Sequence, residues 1–286
     1  MSQAPVVEKR ESVRYRSTLE QARSTGLALG KALLSGVLVL VIVVLLWIAA
    51  LKVFDISEYV GKGPGDVWTY LFQDSDAGAN RSEILGMLRE TLRDSLIGFV
   101  AGMAVAIALA GVIVLSRGAE SAIMPVAMLF RSVPLIALAP IVILIFGRGF
   151  AVVAVMSGIV VLFPALVNIV FGLRTTSQQM RDVVQVYGGS DWAALRKVAF
   201  PSALPSLFAS VRISVPGAIT GALLAEWLAT GEGIGYGVVS AAGRSQNSKV
   251  WAMVVVITLV SLVLYTIAQM IESLVLARWG DNAGRG

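Results

Sequence analysis

The 286 residues are 57% hydrophobic and 14% charged, with a formal net charge of +5 and a mean hydropathy of +0.81, a balance that excludes an ordinary water-soluble domain. Neither cysteine nor histidine occurs, which removes disulfides, thiol chemistry, histidine proton relays and most transition-metal sites. The surplus of Lys and Arg is read as membrane topology rather than as affinity for nucleic acid.

In chain order, Met1–Lys31 is a basic, mixed polar arm. Ala32–Leu51 follows as the first long apolar run; its late start and the lack of a small-residue cleavage site mark it as a retained membrane helix rather than a signal peptide. Ser95–Ser116, Gly149–Leu173 and Val250–Ile271 are likewise uncharged over about 20 residues, enough to cross roughly 30 Å of hydrocarbon as helices. Met128–Phe146 and Ser206–Leu228, each with at least one charge, bring the expected number of spans to six. With the N-terminus inside, internal segments carry 13 Lys and Arg against 8 outside, in the sense of the positive-inside rule, and the C-terminus returns inside.

After the first span, GKGPGDVWTYLF supplies turn residues, a candidate N-cap at Asp66 and a short aromatic helix. Ile84, Leu88 and Leu92 then recur every four residues among charges, predicting an amphipathic helix that lies on the membrane or leads into span two. Gly98, Gly102, Ala106 and Ala110 form a small-residue stripe, as do Gly217, Gly221, Ala225 and Ala229. Such stripes let helices approach closely, either within one subunit or against a second one. Pro125, Pro134 and Pro140 are expected to interrupt span three, and Pro216-Gly217 span five, which makes these two spans the candidates for lining a path.

Between spans four and five the chain leaves the apolar pattern for about 27 residues, Arg174–Pro201. Gln178 to Tyr187 reads as a helix, Gly188-Gly189 as its stop, and Ser190 as the N-cap of a second helix starting at Asp191. Asp191 suits the first turn and Arg196-Lys197 the last. Trp192, Leu195 and Ala199 are expected on one face, Pro201 to end the helix, and Pro205 to open span five. The result is a capped helix–turn–helix elbow, shaped to insert into a partner's groove.

This elbow resembles the EAA signature of the permeases of binding-protein-dependent ABC importers: Glu-Ala-Ala, three residues, Gly, nine residues, Ile-x-Leu-Pro. Here it reads Asp182-Val183-Val184, three residues, Gly188, nine residues, Val198-Ala199-Phe200-Pro201, with every spacing kept and Asp in place of Glu. LFRSVPLIALAPIVILIFG, Leu129–Gly147, and LLAEWLATGEGIGYGV, Leu223–Val238, are similar to the third-span and fifth-span regions of the nitrate, taurine and alkanesulfonate permeases. The latter holds Glu226 and a Gly-rich turn at Gly233 to Tyr236. The resemblance runs from about Leu33 to Arg278.

The resemblance implies an all-α membrane protein of the type I importer permease kind, with six transmembrane helices and both termini cytoplasmic. Its expected parts are a basic arm (1–31), a permease domain (32–278) containing the elbow (174–201), and a tail (279–286). Expected partners are a cytoplasmic ABC ATPase dimer, a second and identical permease subunit, an extracytoplasmic solute-binding protein and the lipid bilayer of a bacterial inner membrane, with no nucleic acid. Asp182, Gly188, Gly189, Ser190, Asp191, Trp192, Leu195, Arg196, Val198 and Pro201 would then couple to the ATPase.

No catalytic residue and no metal site is assigned in this chain. Gly30-Lys31-Ala32 and Gly61-Lys62-Gly63 fail the P-loop pattern, so ATP and Mg are expected on the partner ATPase. Ionisable and polar groups at membrane depth are the candidates for a path or gate: Arg131, Ser132, Pro134, Arg212, Pro216, Thr220 and Glu226. Arg212 and Glu226, 14 residues apart, are too far separated along a helix to pair, and Glu272 is expected at the interface. The solute expected from the resemblance is a small anion such as a sulfonate, taurine or nitrate; a neutral heterocycle, a pyrimidine vitamin precursor or a flavin, is the alternative. An ATP-independent channel or secondary carrier is the competing class. Carriers show repeated halves and midplane charges, which this chain lacks.

Overall fold

The computed structural model describes residue 36 and residues 38–279, with side chains to Ala277. The basic arm (1–31) and the tail beyond Trp279 lie outside the described residues. Among those described, every element is helical, and the chain divides into two units, up to Asp66 and from Val67.

The first unit holds helix α1, Leu38–Val53, exposed along most of its length, as an apolar helix facing lipid would be. It corresponds to the expected first span, of which Ala32–Ser35 fall outside the described residues. Its described part spans about 24 Å at 1.5 Å per residue. The boundary between the units falls inside α2, Pro64–Trp68, which runs on as a π-helical turn, Thr69–Gln73. Asp66 is not the N-cap expected from sequence: it lies inside α2 and reaches back to accept a 2.8 Å bond from the Gly63 amide.

The second unit is built on α6, Phe150–Arg174, which packs between α3, Ala77–Leu115, and α10, Leu204–Ala225. The amphipathic stretch around Leu88 is continuous with span two, in one helix. A Cβ at Gly98 would lie 2.4 Å from the Ser157 Cβ, and one at Gly102 would lie 2.6 Å from the Gly158 carbonyl. A Cβ at Gly221 would come within 2.8 Å of the Ser157 Cα. Both small-residue stripes are thus spent on α6 within one chain. The same contacts fix direction: α3 and α6 run parallel, and α10 runs back against α6. Helix α12, Asn247–Trp279, packs on α10.

Span three departs most from expectation. The segment expected as a loop, Arg117–Glu120, is the first turn of α4, Arg117–Ser132, which is followed by α5, Leu135–Phe146, at an angle of 108°. Pro125 and Pro140 sit inside these helices without ending them; only Pro134, with Val133 extended before it, stands at the break. Pro216 likewise leaves α10 continuous, since a proline costs only one helix bond where neighbouring helices enclose it. The Gly-rich stretch expected as a turn forms an eleven-residue helix, α11, Gly233–Gly243, whose Gly233, Gly235 and Gly237 are buried, the helix packing against α3, α10 and α12.

Among the described residues, four helices are long and apolar enough to cross a membrane, or five if the bent α4–α5 pair counts as one. Leu129, Leu144 and Leu274 are among many large apolar side chains left facing outward, as a lipid-embedded surface requires.

Candidate functional site

Two regions, the elbow and the spans, hold the predicted site residues. The first is the elbow. Helix α7, Gln178–Val186, ends in a Schellman turn: the Gly189 amide donates to the Val184 carbonyl at 2.8 Å and the Gly188 amide to Gln185 at 2.9 Å. Gly188 has φ +78, and a Cβ at Gly189 would lie 2.8 Å from the Val184 carbonyl oxygen. One position needs glycine for its dihedral and the other for space. Ser190 then caps α8, Asp191–Ala194, accepting from the Ala193 amide at 3.3 Å, and Gln185 reaches across the turn to Asp191 at 3.0 Å.

The second arm of the elbow is rooted in the bundle. Leu195, Ala199 and Ala203 belong to the same buried cluster as Ala110 and Ile113 of α3 and Ile169 and Leu173 of α6. Trp192, expected on their face, is 61% exposed, because the first turn of α8 adjoins the exposed glycine turn and only the next turn reaches the core. Pro201 stands one residue before the end of the helix at Ser202, close to where the sequence places that end. A π-helical turn, Leu195–Ala199, precedes it, with the Phe200 amide bonding five residues back to Leu195, and the chain stays helical through α9, Phe200–Ser202. The widened turn precedes the proline and absorbs its missing donor. Pro205 does open α10.

The tip is apolar and outward. Val183, Val186 and Tyr187 are 56%, 83% and 88% exposed, beside the exposed Asp182, Asp191 and Arg196, while Val198 is half-buried. Contacts without local sequence signal brace the base: Arg181 Nη2 donates to the Leu173 carbonyl at 3.0 Å, and Arg174 pairs with Glu120 of α4 at 2.5 Å.

The second place is the set of charges within the spans. Arg212 pairs with Glu272 of α12, Nε to Oε2 at 3.3 Å, with its guanidinium 5.8 Å from the Tyr265 ring. Glu272, expected at the interface, is instead a largely covered partner in this pair. Beside it an open groove of about 370 Å³ runs between α10 and α12, lined by Pro216, Thr220, Thr258, Ser261 and Tyr265. Thr220 also bonds to the Pro216 carbonyl at 2.9 Å, a local helix bond.

Glu226, first residue of the π-helical turn Glu226–Thr230, is only 2% exposed. Its Oε2 accepts from Thr91 Oγ1 at 3.0 Å and from the Gly235 amide at 2.8 Å, while Thr91 accepts from the Ile234 amide at 2.9 Å. The carboxylate therefore joins α3, α10 and the N-terminus of α11. Gly233 and Gly235 make room for it, since a Cβ at Gly235 would stand 2.9 Å from the Glu226 Cβ. Arg131, Ser132 and Pro134 lie apart from both charges, exposed at the α4–α5 break, with Ser132 bonded to the Met128 carbonyl at 3.1 Å. The predicted path residues thus fall into three separate places.

Residues 102–277 match the family described as "Binding-protein-dependent transport system inner membrane component". The chain is 29% identical over 233 residues to a probable ABC transporter permease protein of Haemophilus influenzae, covering 82% of this chain and 93% of that one. It is 28% identical to the riboflavin transport system permease protein RibX of Chloroflexus aurantiacus over 57% of this chain and 60% of that one. With the putative aliphatic sulfonates transport permease protein SsuC of Bacillus subtilis the identity is 25%, over 70% and 72%. The methionine ABC transporter MetNI in inward-facing conformations shares the fold at a TM-score of 0.52 and 17% identity, covering 71% of this chain and 98% of that one. The capped elbow and the helix bundle thus stand in a chain that belongs to the inner-membrane components of binding-protein-dependent transport systems, as a multi-pass permease subunit of an ABC importer.

Proposed function

We propose that the elbow carries force from a separate cytoplasmic ATPase, and that two copies of this chain form the path for a small solute delivered by an extracytoplasmic binding protein. The observation that carries this reading is the division of the elbow into a buried root and an exposed apolar tip. Leu195 and Ala199 fix one arm in the bundle, while Val186, Tyr187 and Trp192 stand out beyond it. Exposed apolar knobs of this kind mark a protein partner. The Schellman turn and the Ser190 cap hold the two arms at a fixed angle, so a push on the tip reaches α10. ATP and Mg reside on the ATPase, six spans cross the bilayer, and both termini are cytoplasmic. The parallel course of α3 and α6 and the reverse course of α10 suit that count.

The solute is a small anion such as a sulfonate. Arg212, held in the bundle beside the α10–α12 groove, supports this choice: an anion reaching it competes with Glu272 for one guanidinium. One observation favours a neutral heterocycle instead, namely that the groove itself is lined by hydroxyls and apolar side chains without charge.

The test is co-purification in mild detergent followed by transport in proteoliposomes. Wild type is expected to bring down an ATPase and to import only with ATP; Trp192→Asp with Tyr187→Asp is expected to lose the ATPase while the chain still folds. Import that proceeds equally without ATP would overturn the reading in favour of a secondary carrier.

A further inference from the structure

At the end of the bundle opposite the elbow, a cavity of about 190 Å³ opens between α3, the start of α6 and the α10–α11 junction, lined by Glu90, Arg93, Asp94, Phe150, Glu226 and Glu232 among others. Four carboxylates face one guanidinium there. Arg93 enters none of the ion pairs found among the described residues, and its guanidinium lies 6.0 Å from the Phe150 ring. Within the cavity wall, Glu226 supplies an observation independent of the charge count. Both donors that reach it, Thr91 Oγ1 and the Gly235 amide, bond to Oε2, whereas Oε1 is buried with no hydrogen-bond partner. A buried carboxylate oxygen without a donor is costly and marks a place where a donor is missing.

The missing donor is not a chelated metal ion: among the described residues no group of three or more acidic side chains is placed to hold one. Carboxylates spread around a cavity of this size suit a larger cation with several N–H groups, which bridges them while an aromatic face covers it. We propose that this pocket binds an organic cation, an alkylammonium or guanidinium group, with Glu226 Oε1 as its innermost acceptor. An anionic cargo is repelled from the same pocket, so its occupant is a group distinct from the proposed solute. The group comes either from a lysine or arginine side chain of the solute-binding protein or from a free amine.

The test titrates methylguanidinium into the purified full chain in lipid nanodiscs, read by ligand-observed NMR against sodium chloride at equal ionic strength. Saturable binding at millimolar concentration is expected for wild type. Glu226→Gln is expected to weaken it tenfold or more, because its carbonyl oxygen keeps the bonds to Thr91 and Gly235 while its amide presents a donor where Oε1 stood. Asp94→Asn, at a half-exposed position, should weaken binding severalfold and serves if the Gln variant fails to fold. Binding that is unchanged in both variants, or matched by sodium chloride, overturns the proposal. Competition of methylguanidinium with the purified solute-binding protein, abolished by Glu226→Gln, assigns the cation to that partner; binding without competition assigns it to a free amine.

Discussion

Arg212 and Glu272 show how a charge in a span is kept. Each is partly shielded from water, and each is the other's counter-ion across α10 and α12. Arg212→Leu strands a carboxylate in the bundle and should cost about 1–3 kcal/mol, less than a fully buried pair because the guanidinium is still partly exposed. The double variant Arg212→Leu with Glu272→Leu should recover most of that stability, read as the midpoint of thermal unfolding in detergent. If the pair were only structural, transport would recover with it; an Arg212 that meets the solute predicts recovered stability with import still lost. Glu226→Leu removes the acceptor shared by Thr91 and the Gly235 amide; Thr91 keeps its 3.2 Å bond to the Met87 carbonyl, but the buried Gly235 amide is left unpaired at about 1–3 kcal/mol. Residue identity at both places was legible in sequence as an ionisable group at membrane depth. The partners were not: Thr91 and Glu226 are separated by 135 residues, and no periodicity links them.

At the scale of elements, the elbow was the most readable part of the chain, because caps and stops are local chemistry. Ser190, Gly188 and Gly189 act within five residues of themselves, and the helix boundaries they imply are the ones observed. Gly189→Ala should deform the turn, since its methyl group would press on the Val184 carbonyl and side chain. It is expected to weaken ATPase co-purification several-fold without lowering the thermal stability of the bundle, as nothing in the core rests on the α7 tip. The misread elements share one cause. Pro125, Pro140 and Pro216 read as breaks in the sequence, yet the helix continues through each of them. A proline removes one donor, but whether the helix stops depends on what else encloses the freed carbonyl, and that is tertiary information. Accordingly, Pro216→Ala should fold normally, with unchanged helix content by circular dichroism. The helix α11 is illegible in sequence for the opposite reason: Gly233 and Gly235 read as a turn, yet they and Gly237 let Glu226, Met87 and Met253 approach.

For the whole molecule, the bundle depends on α6 and on the glycines that let α3 and α10 close on it. Gly98→Val would place a branched side chain where even a Cβ lies 2.4 Å from Ser157 and 2.6 Å from the Ala154 carbonyl. Overpacking of this severity should lower the unfolding temperature by several degrees and reduce the folded yield, read by size-exclusion chromatography. Sequence by itself determined that the chain lies in a membrane, where its long apolar runs fall, and where the elbow begins and turns, because hydrocarbon length and backbone capping act locally. Only the tertiary structure decided which helix each glycine stripe meets, that α4 and α5 turn through 108°, and which groups neutralise Arg212 and hold Glu226. Those outcomes are set by side chains far apart in sequence meeting at van der Waals distance, and close packing has no signature in the order of residues along the chain.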